Sequence, residues 1–206
     1  MIRRIRNIGI NEAFSPDLKQ RLIIMNLISV SVLGVCSVSW CIGSFFELPL
    51  SFKVFMLLAF LMPIITLFLN HKGLHVLSRI LFLVLSYLLI AGGAVILGSE
   101  LNFQLFLIPG VGLSLILFGN KESGLKWLFA FLGLPIWVLI EINGARVGAL
   151  FQVEEATGEI ISLMNVGSAL SYSILLFYLF GKQNEKQIEE IEQRNASLSE
   201  ANNKLV

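Results

Sequence analysis

Six runs of apolar residues, separated by polar turns, occupy positions 22–46, 52–69, 76–97, 103–118, 125–142 and 160–180. A helix rises about 1.5 Å per residue, so roughly 17 to 25 apolar residues match a hydrocarbon core about 30 Å thick. With a polar end residue or two reaching back to the interface, each run predicts a transmembrane helix. The fourth and fifth are short and carry Pro109 and Pro135. Backbone in lipid must satisfy its own hydrogen bonds, and no alternating strand-like pattern points to a barrel, so the spans are expected to be helical.

At Lys182 the pattern changes. With Ile188 at an a position, Ile191 falls at d, Asn195 at a, Leu198 at d, Asn202 at a and Leu205 at d. This unbroken seam predicts a coiled coil running directly out of the last apolar helix. Asparagine at a is best satisfied against the same residue of an in-register partner, which favours two parallel strands and hence a homodimer. Three heptads are marginal alone, so the tail is expected to rely on the membrane part before it or on a domain beyond residue 206. The expected fold is an all-α membrane protein, a six-helix up-and-down bundle followed by a cytoplasmic parallel coiled coil. Its parts are a basic segment at 1–21, the bundle at 22–181 and the coil at 182–206.

Composition agrees with this pattern. Hydrophobic residues make up 56% and charged residues only 14% of the 206, against about 25% charged in soluble domains. Mean hydropathy is +0.81. The first apolar run is 25 residues long, too long for a cleaved signal peptide, whose apolar part is roughly 7 to 15 residues. The net charge of +1 hides a segregation along the chain. If the N-terminus is cytoplasmic, 13 of the 15 basic residues lie on that side, with Lys53 and Arg146 the exceptions. Glu47, Glu100, Glu141, Glu154, Glu155 and Glu159 lie outside. That partition predicts both termini in the cytoplasm. No basic stripe interleaved with aromatics points to nucleic acid.

No catalytic constellation is present: no phosphate-binding glycine loop, no zinc-protease or serine-hydrolase motif, no carboxylate pair within a span. His71 and His75 stand at i, i+4, a metal-ligand spacing, but no Asp, Glu or Cys nearby completes a site, so neither metal nor cofactor is expected. Cys36 and Cys41, five residues apart on a helix, point in different directions and predict no disulfide. Lys53, Arg79, Lys126 and Glu141 lie within a turn or two of span ends, where they are expected to reach the headgroups. Without buried charge in the spans, a proton-coupled transporter or channel is disfavoured. Pro63, Pro109 and Pro135 are expected to kink their helices, and Gly73 to supply a flexible joint between spans two and three.

Neutral polar residues are more informative. Asn165, Ser168 and Tyr172 share one face of the last span at i, i+3 and i+7, with Gly167 and Ser171 on an adjoining face. Asn26, Ser29, Ser37 and Trp40 make a comparable stripe on the first span. Such faces also pack helices together, and the two roles are compatible. Trp40 and Trp137 lie near the outer ends of spans one and five. No outer connection is long enough to fold alone, since even 143–159 has 17 residues against roughly 40 for an independent domain. Any stimulus is therefore expected to act between the helices. Trp40, Trp137, Asn165, Ser168 and Tyr172 are the candidate ligand-binding residues, for a small amphiphilic or apolar ligand entering from the outer face.

The turn LNHKGLHVLSR at 69–79, the segment FLIPGVGLSLILFGNKE at 106–122 and the tail IEEIEQRNASLSEANNKL at 188–205 follow one another across the whole chain. This succession resembles the N-terminal membrane regions of bacterial sensor histidine kinases and of membrane-anchored class III nucleotide cyclases. The tail is slightly more like the linker before a kinase dimerisation helix. No kinase phosphorylation box, ATP-binding glycines or cyclase metal aspartates occur before Val206. The resemblance therefore implies a sensing and dimerising module in contact with membrane lipids, feeding a cytoplasmic output domain beyond residue 206. A passive dimeric anchor and a small transporter are the other classes compatible with the pattern.

Overall fold

Ser15, Pro16 and Asp17 start the first long helix. Ser15 Oγ accepts the Leu18 N–H at 3.3 Å, Pro16 takes the first helical position, where no N–H is needed, and Asp17 places its charge at the positive end of the helix dipole. The computed structural model describes residues 2–45, 50–147 and 155–203. Its helices are α1 (Ile2–Arg6), α2 (Pro16–Phe45), α3 (Leu50–His71), α4 (His75–Leu97), α5 (Leu107–Leu117), α6 (Ser123–Val147) and α7 (Glu155–Asn203). Three 3-10 turns, Ser99–Leu101, Phe103–Phe106 and Asn120–Glu122, complete the regular structure, and no strand occurs among the described residues.

Helix directions follow from which ends meet. Asn26, early in α2, accepts from Asn70 at the end of α3 at 2.9 Å. Arg21 donates to the Ile116 carbonyl near the end of α5 at 3.1 Å, and Arg79, at the start of the second turn of α4, pairs with Glu122 just before α6 at 2.8 Å. At the opposite end Phe55, early in α3, meets Phe103 edge-on at 5.6 Å, and Asn165, early in α7, donates to the Leu101 carbonyl at 2.7 Å. Successive long helices thus alternate in direction. Taking the basic end as cytoplasmic, the Arg21–Arg79 end is called inner and the Phe103–Asn165 end outer.

Among the described residues, five helices are long and apolar enough to cross a membrane. Large apolar side chains on their outward faces, such as Phe68, Phe131, Leu163 and Phe177, are exposed, as a lipid-facing surface requires. The chain is in this sense an all-helical membrane protein. The fourth apolar run behaves differently. It forms four 3-10 residues and eleven α-helical ones, about 25 Å in all, shorter than a bilayer core. This short helix is the centre of the molecule: α5 packs against α2, α4, α6 and α7. Leu107, Leu113, Ile116 and Leu117 are buried on it. A helix apolar on all sides needs such a sheath, and helix ends wrapped in protein need not reach the lipid surface.

Several expectations require correction. Arg79 does not reach the headgroups: it is 2% exposed and is among the largest fully buried side chains. Pro109 sits in the first turn of α5, where a missing N–H interrupts nothing, whereas Pro63 and Pro135 lie inside helices that continue through them. Gly73 is a fixed cap rather than a joint. With φ +79°, it donates to the Asn70 carbonyl at 3.1 Å while Leu74 donates to Leu69 at 3.0 Å, the paired bonds of a Schellman turn. The polar stripe on α2 divides: Asn26 and Ser29 are fully buried, Ser37 and Trp40 exposed.

The tail continues α7 without a break as far as Asn203, with Ile188, Ile191 and Asn195 exposed on it. The side chains of Leu198 and Asn202, all of Leu205, and Glu47 and Glu154 lie outside the described residues.

Candidate functional site

A cavity of about 210 Å³ lies between α2, α3, α4, α5 and α7. It extends from Phe55 and Phe103 at the outer end to Ile28 and Leu83 near mid-bundle. Close packing on one side defines its wall. A Cβ at Gly110 would come within 2.8 Å of Tyr87 Cε1, so only glycine lets the Tyr87 ring lie against α5. The Tyr87 hydroxyl then donates to the Phe129 carbonyl at 2.8 Å, tying α4 to α6. The opposite wall carries Met56 and Met62, unbranched thioethers that adapt to irregular contents.

Few polar atoms face this space. Ser86 donates to Met62 Sδ at 3.3 Å, and the Asn165 amide is engaged by Leu101. The Tyr172 hydroxyl is buried without a hydrogen-bond partner among the described residues. No charged side chain lines the cavity. The site can therefore hold a neutral, mainly apolar molecule and offers it the buried, unpartnered Tyr172 hydroxyl, with the Ser39 hydroxyl on the α2 wall. Acid–base or metal chemistry has no donor set here.

The candidate residues separate. Asn165 and Tyr172 line the cavity. Trp40 is 45% exposed and borders a neighbouring groove between α2 and α3 with Cys36, Cys41 and Phe60. Trp137 packs, half-buried, against the edge of the core, and Ser168 is half-buried outside the cavity lining. Cys36, buried and free, faces the cavity, while Cys41 is exposed and free.

The inner end carries a polar lock that sequence reasoning did not assemble. Arg79 donates to both Glu122 carboxylate oxygens at 2.9 and 2.8 Å and to the Leu117 carbonyl at 2.6 Å, with its guanidinium 5.4 Å from the Phe118 ring centroid. Arg21, paired with Asp17, takes the Ile116 carbonyl. The two cations thus occupy the last carbonyls of α5, the negative end of its dipole. Beneath them the N-terminal segment folds back. Asn26 donates to the Arg6 and Ile8 carbonyls at 3.1 and 2.9 Å, and Phe14 meets His75 edge-on at 5.3 Å. Gly9, at φ +70°, lies so close to the Asn70 carbonyl that a Cβ would collide with it. His71 is exposed, so the two histidines do not converge.

Neither a protein-family model, a curated protein nor a solved structure matches this chain.

Proposed function

We propose that the chain is a transmembrane sensing and dimerising module, inserted in the inner membrane with both termini cytoplasmic, that passes a stimulus through its last helix to an output domain of histidine-kinase type. In this reading α5 makes the sixth crossing inside its sheath of longer helices, and the tails of two copies pair in parallel through Ile188, Ile191 and the a-position asparagines. The observation that carries the reading is α7. It is one helix of 49 residues, about 73 Å long, whose outer half lines the cavity and whose last turns bear the heptad seam. A ligand that binds one arrangement of the bundle better than another biases α7 by its differential affinity, and a coupling of about 1 to 3 kcal/mol suffices.

The test separates transmission from passive anchoring. A kinase core is fused to the coil, and one to seven alanines are inserted after Lys182 in successive variants. Each inserted residue rotates the seam by about 100° relative to the bundle. Autophosphorylation is expected to rise and fall with the insertions and to return near the parent level at seven. Output independent of insertion length would leave only an anchor. An Ile191→Cys variant should also crosslink to its own copy in membranes, and its failure to do so would remove the dimer from the proposal.

A further inference from the structure

The geometry points to the α2–α5/α7 cavity as the binding site of a small uncharged lipophile that carries a hydrogen-bond acceptor, a ketone, ester or ether oxygen, received by the Tyr172 hydroxyl. This deepens the sensing reading and rests on it for what the ligand does, but not for whether the ligand binds.

Three observations fix the ligand class. The lining is apolar and contains no charged side chain, so an ion would lose its hydration without compensation. Buried hydroxyls are nearly always partnered, yet that of Tyr172 is buried with no partner among the described residues, in a side chain that lines the cavity. A phenol O–H needs an acceptor, and neither the Ser86 hydroxyl, engaged by Met62, nor the Asn165 amide, engaged by Leu101, serves it, while Ser39 and the Cys36 thiol are the remaining polar groups of the lining. Size sets the third limit. An apolar cavity of about 150 Å³ holds benzene. One of about 210 Å³ scales to about eight heavy atoms.

Access and consequence follow from the walls. The cavity lies between apolar helices that face lipid, so a molecule dissolved in the membrane reaches it without crossing a charged surface. Once inside, it touches α7 at Tyr172 and Leu176 and the fixed part of the bundle at Met56 and Leu83. It therefore bridges the last helix and its frame.

The experiment measures binding alone. The 206-residue chain is placed in lipid nanodiscs, and uptake of 2-heptanone is compared with that of empty discs of the same lipid by headspace equilibration. n-Octane, with the same number of heavy atoms but no acceptor, and heptanoate, with a charge, are run beside it. Expected is a saturable excess of 2-heptanone, near one per chain, with no such excess of heptanoate. Tyr172→Phe preserves the ring and removes the hydroxyl. It should weaken 2-heptanone about tenfold, the effect of one hydrogen bond, and leave n-octane unchanged. Ala59→Phe, which fills the cavity, should abolish the excess. No saturable 2-heptanone, or an affinity unchanged in Tyr172→Phe, overturns the proposal. Binding as expected together with kinase output independent of insertion length would refute the sensing reading and leave the site standing. Phase-dependent output without saturable ketone would do the reverse.

Discussion

Replacing Arg79 by methionine keeps the unbranched stem as far as the Nε position and removes the guanidinium, and with it the Arg79 hydrogen bonds to Glu122 and to the inner end of α5. The guanidinium is 2% exposed, and its partner Glu122 is 24% exposed. Removing one member of a buried pair costs about 3 to 5 kcal/mol because the other charge is stranded, and the partial access of Glu122 to water puts the loss at the lower end. The Leu117 carbonyl also loses its donor, which adds about 1 kcal/mol. The expected destabilisation is therefore about 4 kcal/mol, a large part of the 5 to 15 kcal/mol typical of folded proteins. Glu122→Gln retains a side-chain oxygen as acceptor for the Gly119 N–H and for one Arg79 donor, and Arg79 keeps the Leu117 carbonyl, so its loss is held to that of a charged hydrogen bond, about 2 kcal/mol. In the double variant no charge is stranded, so its loss should fall short of the sum by about 2 kcal/mol. Reversible unfolding in mixed detergent micelles measures all three. Arg4→Met, at an exposed arginine, is the control and should stay within about 0.5 kcal/mol of the parent. An Arg79→Met loss no larger than that of Arg4→Met, or strictly additive losses in the cycle, would refute the account of the inner lock.

Gly9→Ala should release the N-terminal segment, since the added Cβ meets the Asn70 carbonyl and φ +70° is strained for alanine. Hydrogen exchange of residues 2–14 should accelerate by about tenfold or more while the α4 core is unchanged, and equal protection in the two proteins would count against the docking. Tyr87→Phe should cost about 1 kcal/mol by removing the bond to the Phe129 carbonyl, and unaltered stability in the same micelle assay would mean that this tie contributes nothing.

The long helices were legible because a lipid-facing helix must be apolar for a fixed length, and this length is written directly in the sequence. The centre of the bundle was less legible for the same reason. The run 103–118 is as apolar as its neighbours, but hydropathy does not distinguish a side chain touching lipid from one touching another helix. A signal for α5 does exist: it is short, it starts after Gly98 and Asn102, both at positive φ, and it ends in a charged turn. The inner lock was missed because snorkelling is a local rule. Arg79 is close enough to a helix end to escape to water, yet Glu122, 43 residues away in sequence, and the open carbonyls of α5 offer it partners inside the bundle. Of the candidate ligand residues, Asn165 and Tyr172 line the cavity two turns apart on α7, while Ser168, between them on the face the spacing assigned, lies outside the lining, because helical spacing fixes a face only to within the width of a turn. Trp40 and Trp137 do not line it either, because proximity to the outer end says nothing about which way a ring points.

The described hydrogen bonds are distributed unevenly between the two ends of α7, and this bears on how a signal would travel. At the outer end Ser162 accepts from Asn102 at 2.7 Å and Asn165 donates to Leu101, so the helix is pinned to the turns that precede α5. Toward the inner end two serine hydroxyls turn back on its own backbone, Ser171 to Gly167 and Ser173 to Ala169. The inner lock joins α2, α4, α5 and the α5–α6 turn to one another, and none of its described bonds reaches α7. On the sensing reading the polar bonds make the outer end the pivot, because directional bonds fix position and orientation together whereas the apolar contacts toward the inner end carry no directional preference. The cavity lies beside that pivot. On the sensing reading, a small displacement of Tyr172 by a ligand is then magnified along the remaining 30 or so residues of α7, and the seam at Ile188 and Ile191 receives a larger movement than the one made at the site.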